Sequence, residues 1–114
     1  MVNQVFLIGR LVRNPELFET ANKTEVAKIT LAIQKGYKNQ DGIYEADYIN
    51  CTLWRGIAKS IYDYCKKGDT IAVRGKLESN KYEKDGKMVY STDVIAEKIS
   101  FISSKKEEIK KEIE

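Results

Sequence analysis

The chain has 114 residues, 42% of them hydrophobic, and carries a formal net charge of +3 with a pI near 8.8. That length gives one domain with one modest core, and the mild basicity permits an anionic partner without demanding one. With no histidine, the commonest general acid–base and the usual catalytic triad are absent, and Cys51 and Cys65 lack both CxxC spacing and a histidine neighbour for a metal.

No apolar run reaches the length of a membrane span, and no secretory leader opens the chain. The expectation is a cytoplasmic protein with no membrane partner, no cofactor and no metal.

The stretch from Val2 to Val12 is β-rich and apolar on both faces. Val5, Leu7 and Leu11 share one parity; Phe6, Ile8 and Val12 share the other. A strand buried on both sides suits a barrel wall that also meets a partner subunit. Gly9 marks a bend or a close backbone approach. Pro15 ends the strand because it has no N–H for a ladder, and a loop is expected from there through Lys23.

Val26 to Ile33 reads as a second strand. Its apolar row is Ala27, Ile29, Leu31 and Ile33, and its more polar row includes Lys28 and Thr30. A hairpin arm with an Asp41-Gly42 turn signal follows. Tyr37 has the parity of the core row, unless a bulge at Gly36 re-aims it.

Ala46 to Trp54 is the third strand. Ile49, Cys51 and Leu53 form its core face, which makes Cys51 a reduced core thiol. The opposite face carries Ala46, Tyr48, Asn50, Thr52 and Trp54. Rings that point away from a core are either covered by another element or offered to a ligand. In a lysine-rich protein, the ligand that best uses flat rings beside cations is single-stranded nucleic acid.

From Arg55 to Lys67 the period changes. Ile57, Ala58, Ile61 and Cys65 lie at helical spacing. Lys66 and Lys67 suit a helix C-terminus, and Gly68 suits its stop. Tyr62 and Tyr64 are expected to plug a barrel end. Thr70 to Tyr82 is a fourth strand, with Ile71, Val73 and Leu77 on one face and Arg74, Lys76, Glu78, Asn80 and Tyr82 on the other. Asp85-Gly86 is a hairpin turn. Val89 to Ile102 is a fifth strand, with Ile95, Ile99 and Phe101 on one parity and Tyr90 on no assignable face.

Residues 103–114 form a polar tail, with Lys105, Lys106, Lys110 and Lys111 balanced by Glu107, Glu108, Glu112 and Glu114. The net charge therefore belongs to residues 1–102, which are expected to be the domain.

Three strands, a helix and two strands is the plan of an OB-fold, an all-β five-stranded Greek-key barrel with one short helix between strands 3 and 4. Its binding surface is built from strands 2 and 3 and the loops joining strands 1–2 and 4–5. This chain puts Lys28, Lys35, Tyr37, Lys38, Tyr48, Trp54, Lys81, Tyr82, Lys84 and Lys87 there. Arg10, Arg55, Arg74 and Lys76 complete the cations expected to neutralise phosphates.

The sequence also resembles the bacterial and phage single-stranded DNA-binding proteins. The matching pieces are VFLIGRLVRNPEL, VAKITLAI, DYINCTLWR, IAKSIYDYCKKGD, VRGKL and YEKDGK, in order and without large gaps. The resemblance implies stacking aromatics at Tyr37, Tyr48, Trp54 and Tyr82, a role in DNA replication, recombination and repair, and a homotetramer that pairs through the first strand. It does not extend to the Gly/Pro/Gln-rich linker and acidic C-terminal tip by which cellular members recruit partner enzymes.

Three other readings stand beside it: a protein-binding OB adaptor, an RNA-binding OB module, and an enzyme. Asp47, Asp63 and Asp69 are the nearest approach to a carboxylate cluster, but they fall on a strand, a helix and a turn, so catalysis is not expected.

Overall fold

The computed structural model describes residues 1–104 of the chain. Along them run β1 (Val5–Leu11), β2 (Glu16–Glu19), β3 (Glu25–Lys38), β4 (Tyr44–Trp54), α1 (Gly56–Tyr64), β5 (Thr70–Lys84) and β6 (Lys87–Ser103). β1 pairs antiparallel with β5, β5 with β6, and β3 with β4, while β4 and β6 run parallel. The ring closes where Arg10 and Leu11 of β1 meet Ala32 and Leu31 of β3. The result is the expected all-β OB-fold barrel of five strands, with one short helix between its third and fourth.

β2 is additional. The stretch expected to be loop holds a short strand on the edge of β3, from Glu16 opposite Lys28 to Glu19 opposite Glu25. Glu-Leu-Phe-Glu alternates in period two: Leu17 packs on the core while Phe18 points outward and is exposed. Four residues lacking β-branched side chains give too weak a signal to read without the partner strand.

The core gathers Leu11, Ala27, Ile29, Leu31, Cys51, Leu53, Ile71, Val73, Val94 and Ala96 from the barrel wall, with Ala58 and Ile61 from α1. Each large aliphatic side chain buried this way contributes about 1.5–3 kcal/mol. Burial pushes the Cys51 thiol up to about 11, so it stays protonated and unreactive at neutral pH. Ala58 and Ile61 close the barrel end. Tyr62 and Tyr64 do not, since both are exposed on the outer side of the helix.

The helix is also shorter than its periodicity suggests. Cys65 turns to extended backbone, which leaves Lys66 and Lys67 in a turn after the helix. Gly68 takes φ 93 in that turn. The Asp69 carboxylate accepts the Lys66 N–H at 2.9 Å, and the Asp69 carbonyl accepts the Leu11 N–H at 2.9 Å. Gly68 therefore shapes the return to β5 rather than capping α1.

A bulge re-phases β6. Arg74 lies opposite Lys98 but Gly75 lies opposite Ala96, so Glu97 is an extra residue. Val94 and Ala96 face the core, and Ile95 faces away with Lys76 opposite it. The parity expected to unite Ile95 with Ile99 is broken at this bulge. Gly75 makes the bulge possible, because a β-carbon there would collide with the Ile95 carbonyl oxygen. Gly9 plays the close-approach role expected of it: a β-carbon would sit 2.8 Å from the Ala32 carbonyl oxygen, where β1 crosses β3.

Two hairpins run beyond the barrel. The β3–β4 arm ends around Gly42, and the β5–β6 arm turns tightly at Asp85 and Gly86, both at positive φ. Lys84 and Lys87 face each other across that turn. Because Gly75 fixes the bulge by backbone contact, Gly75→Ala is expected to lower stability by about 3 kcal/mol. Urea unfolding checks this, and an unchanged midpoint would contradict the packing described.

Candidate nucleic-acid interface

The ladder between β3 and β4 determines which side chains are offered. It runs from Val26 opposite Trp54 to Gln34 opposite Ala46 in one register. Residues on one parity, Ala27, Ile29 and Leu31 with Leu53, Cys51 and Ile49, turn inward. The other parity of β4 displays Tyr48, Asn50, Thr52 and Trp54. Tyr48 is 67% exposed and Trp54 43%, and the two rings stand about 20 Å apart at about 3.4 Å per residue. Neither is covered by α1 or wedged into the barrel.

Lateral neighbours complete the face. Trp54 is flanked by Val26 on β3 and Phe18 on β2, Thr52 by Lys28 and Glu16, and Tyr48 by Ala32 and then Arg10 on β1. Between Tyr48 and Trp54 the Arg13 guanidinium donates to the Thr30 hydroxyl at 2.8 Å, and that hydroxyl donates to Asn50 Oδ1 at 2.7 Å.

Beside Trp54 the face deepens into a cleft of about 530 Å³. Its near wall is Phe18, Val26, Lys28 and Thr52, and its far wall is Glu78, Asn80, Asp93 and Ile95 from β5 and β6. Asn80 donates to Asp93 Oδ2 at 2.6 Å. Two carboxylates on the far wall repel phosphate, whereas the near wall carries Lys28, with Glu16 beside it on β2. A polyanion that crosses this cleft is thus directed to lay its backbone along β3 and its flat groups against Trp54 and Phe18.

Tyr82, 49% exposed, lies farther out on the β5–β6 arm, opposite Val89 and on the parity of Asn80 and Glu78. Lys84 and Lys87 share that face at the arm's tip, and Lys76 shares it at the base. Lys81 does not. It pairs with Tyr90 on the reverse face, which settles where Tyr90 points. Arg74 lies opposite Phe6 of β1, on the outer surface of the β1–β5 sheet.

The β3–β4 arm brings less together. Lys35 is bonded to Asp47 at 2.6 Å. The hydrogen bond that Lys35 donates to the Asp47 carboxylate, and that carboxylate's negative charge, hold the lysine above its usual range. Lys35 is therefore always charged at neutral pH, but that charge already has a carboxylate beside it. Tyr37 is 68% exposed within an irregularity between Gln34 and Lys38, around Gly36. After that slip Lys38 faces Tyr44, with its ammonium 5.5 Å from the ring centre.

Arg55 follows Trp54 with φ 58 and ψ −127. Its N–H donates to the Glu25 carbonyl at 2.7 Å, and its own carbonyl accepts from Lys59 at 3.1 Å to start α1. The sharp corner carries a cation directly from the ring-bearing strand into the helix.

Sequence reasoning missed three members of this face. Tyr44 belongs to the outward row of β4, and extending the alternation from Tyr48 back past Ala46 would have found it. Phe18 was hidden with β2. Arg13 reaches Thr30 across seventeen positions of sequence, and no local pattern signals that contact.

Comparison with known proteins gives a consistent result. Residues 2–102 match the family model described as the single-strand binding protein family. The chain is 43% identical over 109 residues to single-stranded DNA-binding protein B of Bacillus subtilis, covering 95% of this chain and 96% of that one. It is 46% identical over 103 residues to the single-stranded DNA-binding protein of Bacillus cereus, covering 90% of this chain but 61% of that relative. A solved structure of a deletion mutant of the single-stranded DNA binding protein from Thermus aquaticus aligns with a TM-score of 0.75 at 32% identity. That alignment covers 90% of this chain and 51% of the other.

The backbone at Arg55 carries strain of about 1–3 kcal/mol for a residue with a β-carbon. Glycine would relieve it, against an entropic cost of about 0.5–1 kcal/mol. Arg55→Gly is therefore expected to keep or raise the thermal midpoint, although it deletes a side chain. A clear fall in calorimetry would show that Arg55 holds the corner by contacts instead.

Proposed function

The chain belongs to the single-strand binding protein family, and from that premise we propose that it binds single-stranded DNA without sequence preference and catalyses no reaction. The observation that carries the proposal is the outward row of Tyr48, Asn50, Thr52 and Trp54 on β4, with cations along its β3 side. Bases stack on Trp54, Tyr48, Tyr82 and Tyr37, each worth about 1–3 kcal/mol by truncation. Any base has a flat face, so such binding tolerates sequence. Duplex DNA hides those faces, so stacking selects the single strand.

Arg10, Lys28, Arg55, Lys76, Lys84 and Lys87 neutralise phosphates as the strand passes from the β3 side of the cleft to the β5–β6 arm. Lys38 and Arg74 are reached only by a longer path over the barrel, and Lys35 and Lys81 contribute least. The first is tied to Asp47; the second faces away from Tyr82. In the cell this activity covers single strands opened in DNA replication, recombination and repair, in the cytoplasm. Among the described residues, no helix is long and apolar enough to cross a membrane.

Residues 1–102 act as the binding domain in this reading. The tail from 103 onward falls almost entirely outside the described residues.

The same proposal includes self-association through β1. Among the described residues, that strand pairs from Val5 to Gly9 only with β5, and its other edge meets β3 only at Arg10 and Leu11. Phe6 and Ile8 are exposed on its outer face. An unpaired edge beside exposed apolar side chains suits pairing with a second copy, and two such pairs make the tetramer.

Trp54 is the chain's single tryptophan, so its fluorescence reports one site. Oligo-dT is expected to quench it, with affinity falling by about 0.7 log units per log unit of salt for each phosphate neutralised. Duplex DNA should leave it bright, and oligo-rU serves as the RNA comparison. Full emission in saturating oligo-dT would refute the stacking reading. Sedimentation of the same sample should give four times 13.1 kDa, and a monomer would remove the β1 pairing.

A further inference from the structure

The geometry points to Arg13, tethered through Thr30 to Asn50, as a fixed hydrogen-bond donor of the interface. It takes an acceptor oxygen of the nucleotide held between Tyr48 and Trp54. This rests on the binding proposed above and names a residue that reading does not include.

The direction of the relay follows from its chemistry. An arginine only donates. Thr30 Oγ1 accepts from Arg13 at 2.8 Å, so its own proton goes to Asn50 Oδ1 at 2.7 Å. That orients the Asn50 amide with its oxygen used and its two N–H donors left over. The guanidinium keeps most of its five donors as well. The surface between the two rings thus offers N–H donors from both the guanidinium and the Asn50 amide. It suits a phosphate oxygen or a base carbonyl, the two acceptor oxygens a strand can offer there.

The loop that carries Arg13 is held from both sides. Val12 N–H donates to the Thr30 carbonyl at 3.1 Å. Asn14 Oδ1 accepts the Lys67 N–H at 2.8 Å, and Pro15 is buried. Thr30 is itself buried, so the tether is anchored in the wall of the barrel rather than on mobile side chains. Asn50 lies two residues from Tyr48, about 7 Å along the strand. A base stacked on Tyr48 therefore brings its own oxygens within reach. A cation held ready in this way loses less freedom on binding than a free lysine.

The test compares wild type, Arg13→Gln and Thr30→Val in Trp54 titrations with oligo-dT and oligo-dA across salt. Arg13→Gln is expected to weaken binding roughly tenfold at low salt. If the acceptor is phosphate, its log–log salt slope falls by about 0.7 for both oligonucleotides. If it is a base carbonyl, the slope holds and only oligo-dT is affected, since adenine has no carbonyl. Thr30→Val keeps the charge and the side-chain shape; it should weaken binding while leaving the slope and the circular dichroism unchanged. Arg13→Gln with wild-type affinity and slope on both oligonucleotides would overturn the inference. Failure of the wild type to bind would instead overturn the function proposed above.

Discussion

The uninterrupted antiparallel register of β3 against β4, from Val26 beside Trp54 to Gln34 beside Ala46, constrains everything else in this molecule. Side chains alternate across a strand, so a slip of one residue would bury the indole and expose Leu53. The inward row of Ile29, Leu31, Cys51 and Leu53 is buried in the core, and it holds the register in place. Barrel stability and ring presentation are therefore one property. The forces that bury Leu53 are the forces that present Trp54.

Exposure alone does not mark the site. Tyr37, Tyr44, Tyr48, Tyr62, Tyr64, Tyr82 and Tyr90 are all exposed, but only some share a face. Tyr44 and Tyr48 stand on the outward row of β4, and Tyr82 on the face of the β5–β6 arm that continues the cleft wall. Tyr62 and Tyr64 are on the helix, and Tyr90 is on the arm's reverse. The charges sort in the same way. The carboxylates of Glu78 and Asp93 occupy one wall of the cleft and Lys28 the other, so the fold supplies a polarity across the groove as well as rings along it.

What could be read from the sequence followed from the length of unbroken alternation. Tyr48, Trp54 and Cys51 lie on one clean strand, and their faces were legible. So was the order of elements that closes the barrel. Tyr37 was not, because the slip around Gly36 changes the register where periodicity stops being informative. Tyr90 lies on an arm with solvent on both sides, where no apolar row tells one face from the other. β2 is too short to show a period, and the extra residue at Glu97 inverts β6 with no local signal beyond Gly75 on the partner strand. The end of α1 is obscured because Lys66, Lys67 and Gly68 resemble a helix terminus but build a turn around Asp69. Arg13 became visible only when the fold placed it over Thr30.

The face itself can be tested directly by photocrosslinking oligo-dT that carries a photoreactive halogenated uracil, followed by mass-spectrometric mapping of the attached residues. Tyr62, Tyr64 and Tyr90, each more exposed than Trp54, act as internal controls. Crosslinks at Trp54 and Tyr48, with those three unlabelled, are the predicted result. Labelling concentrated on the helix or on the reverse of the β5–β6 arm, with Trp54 and Tyr48 untouched, would contradict the account.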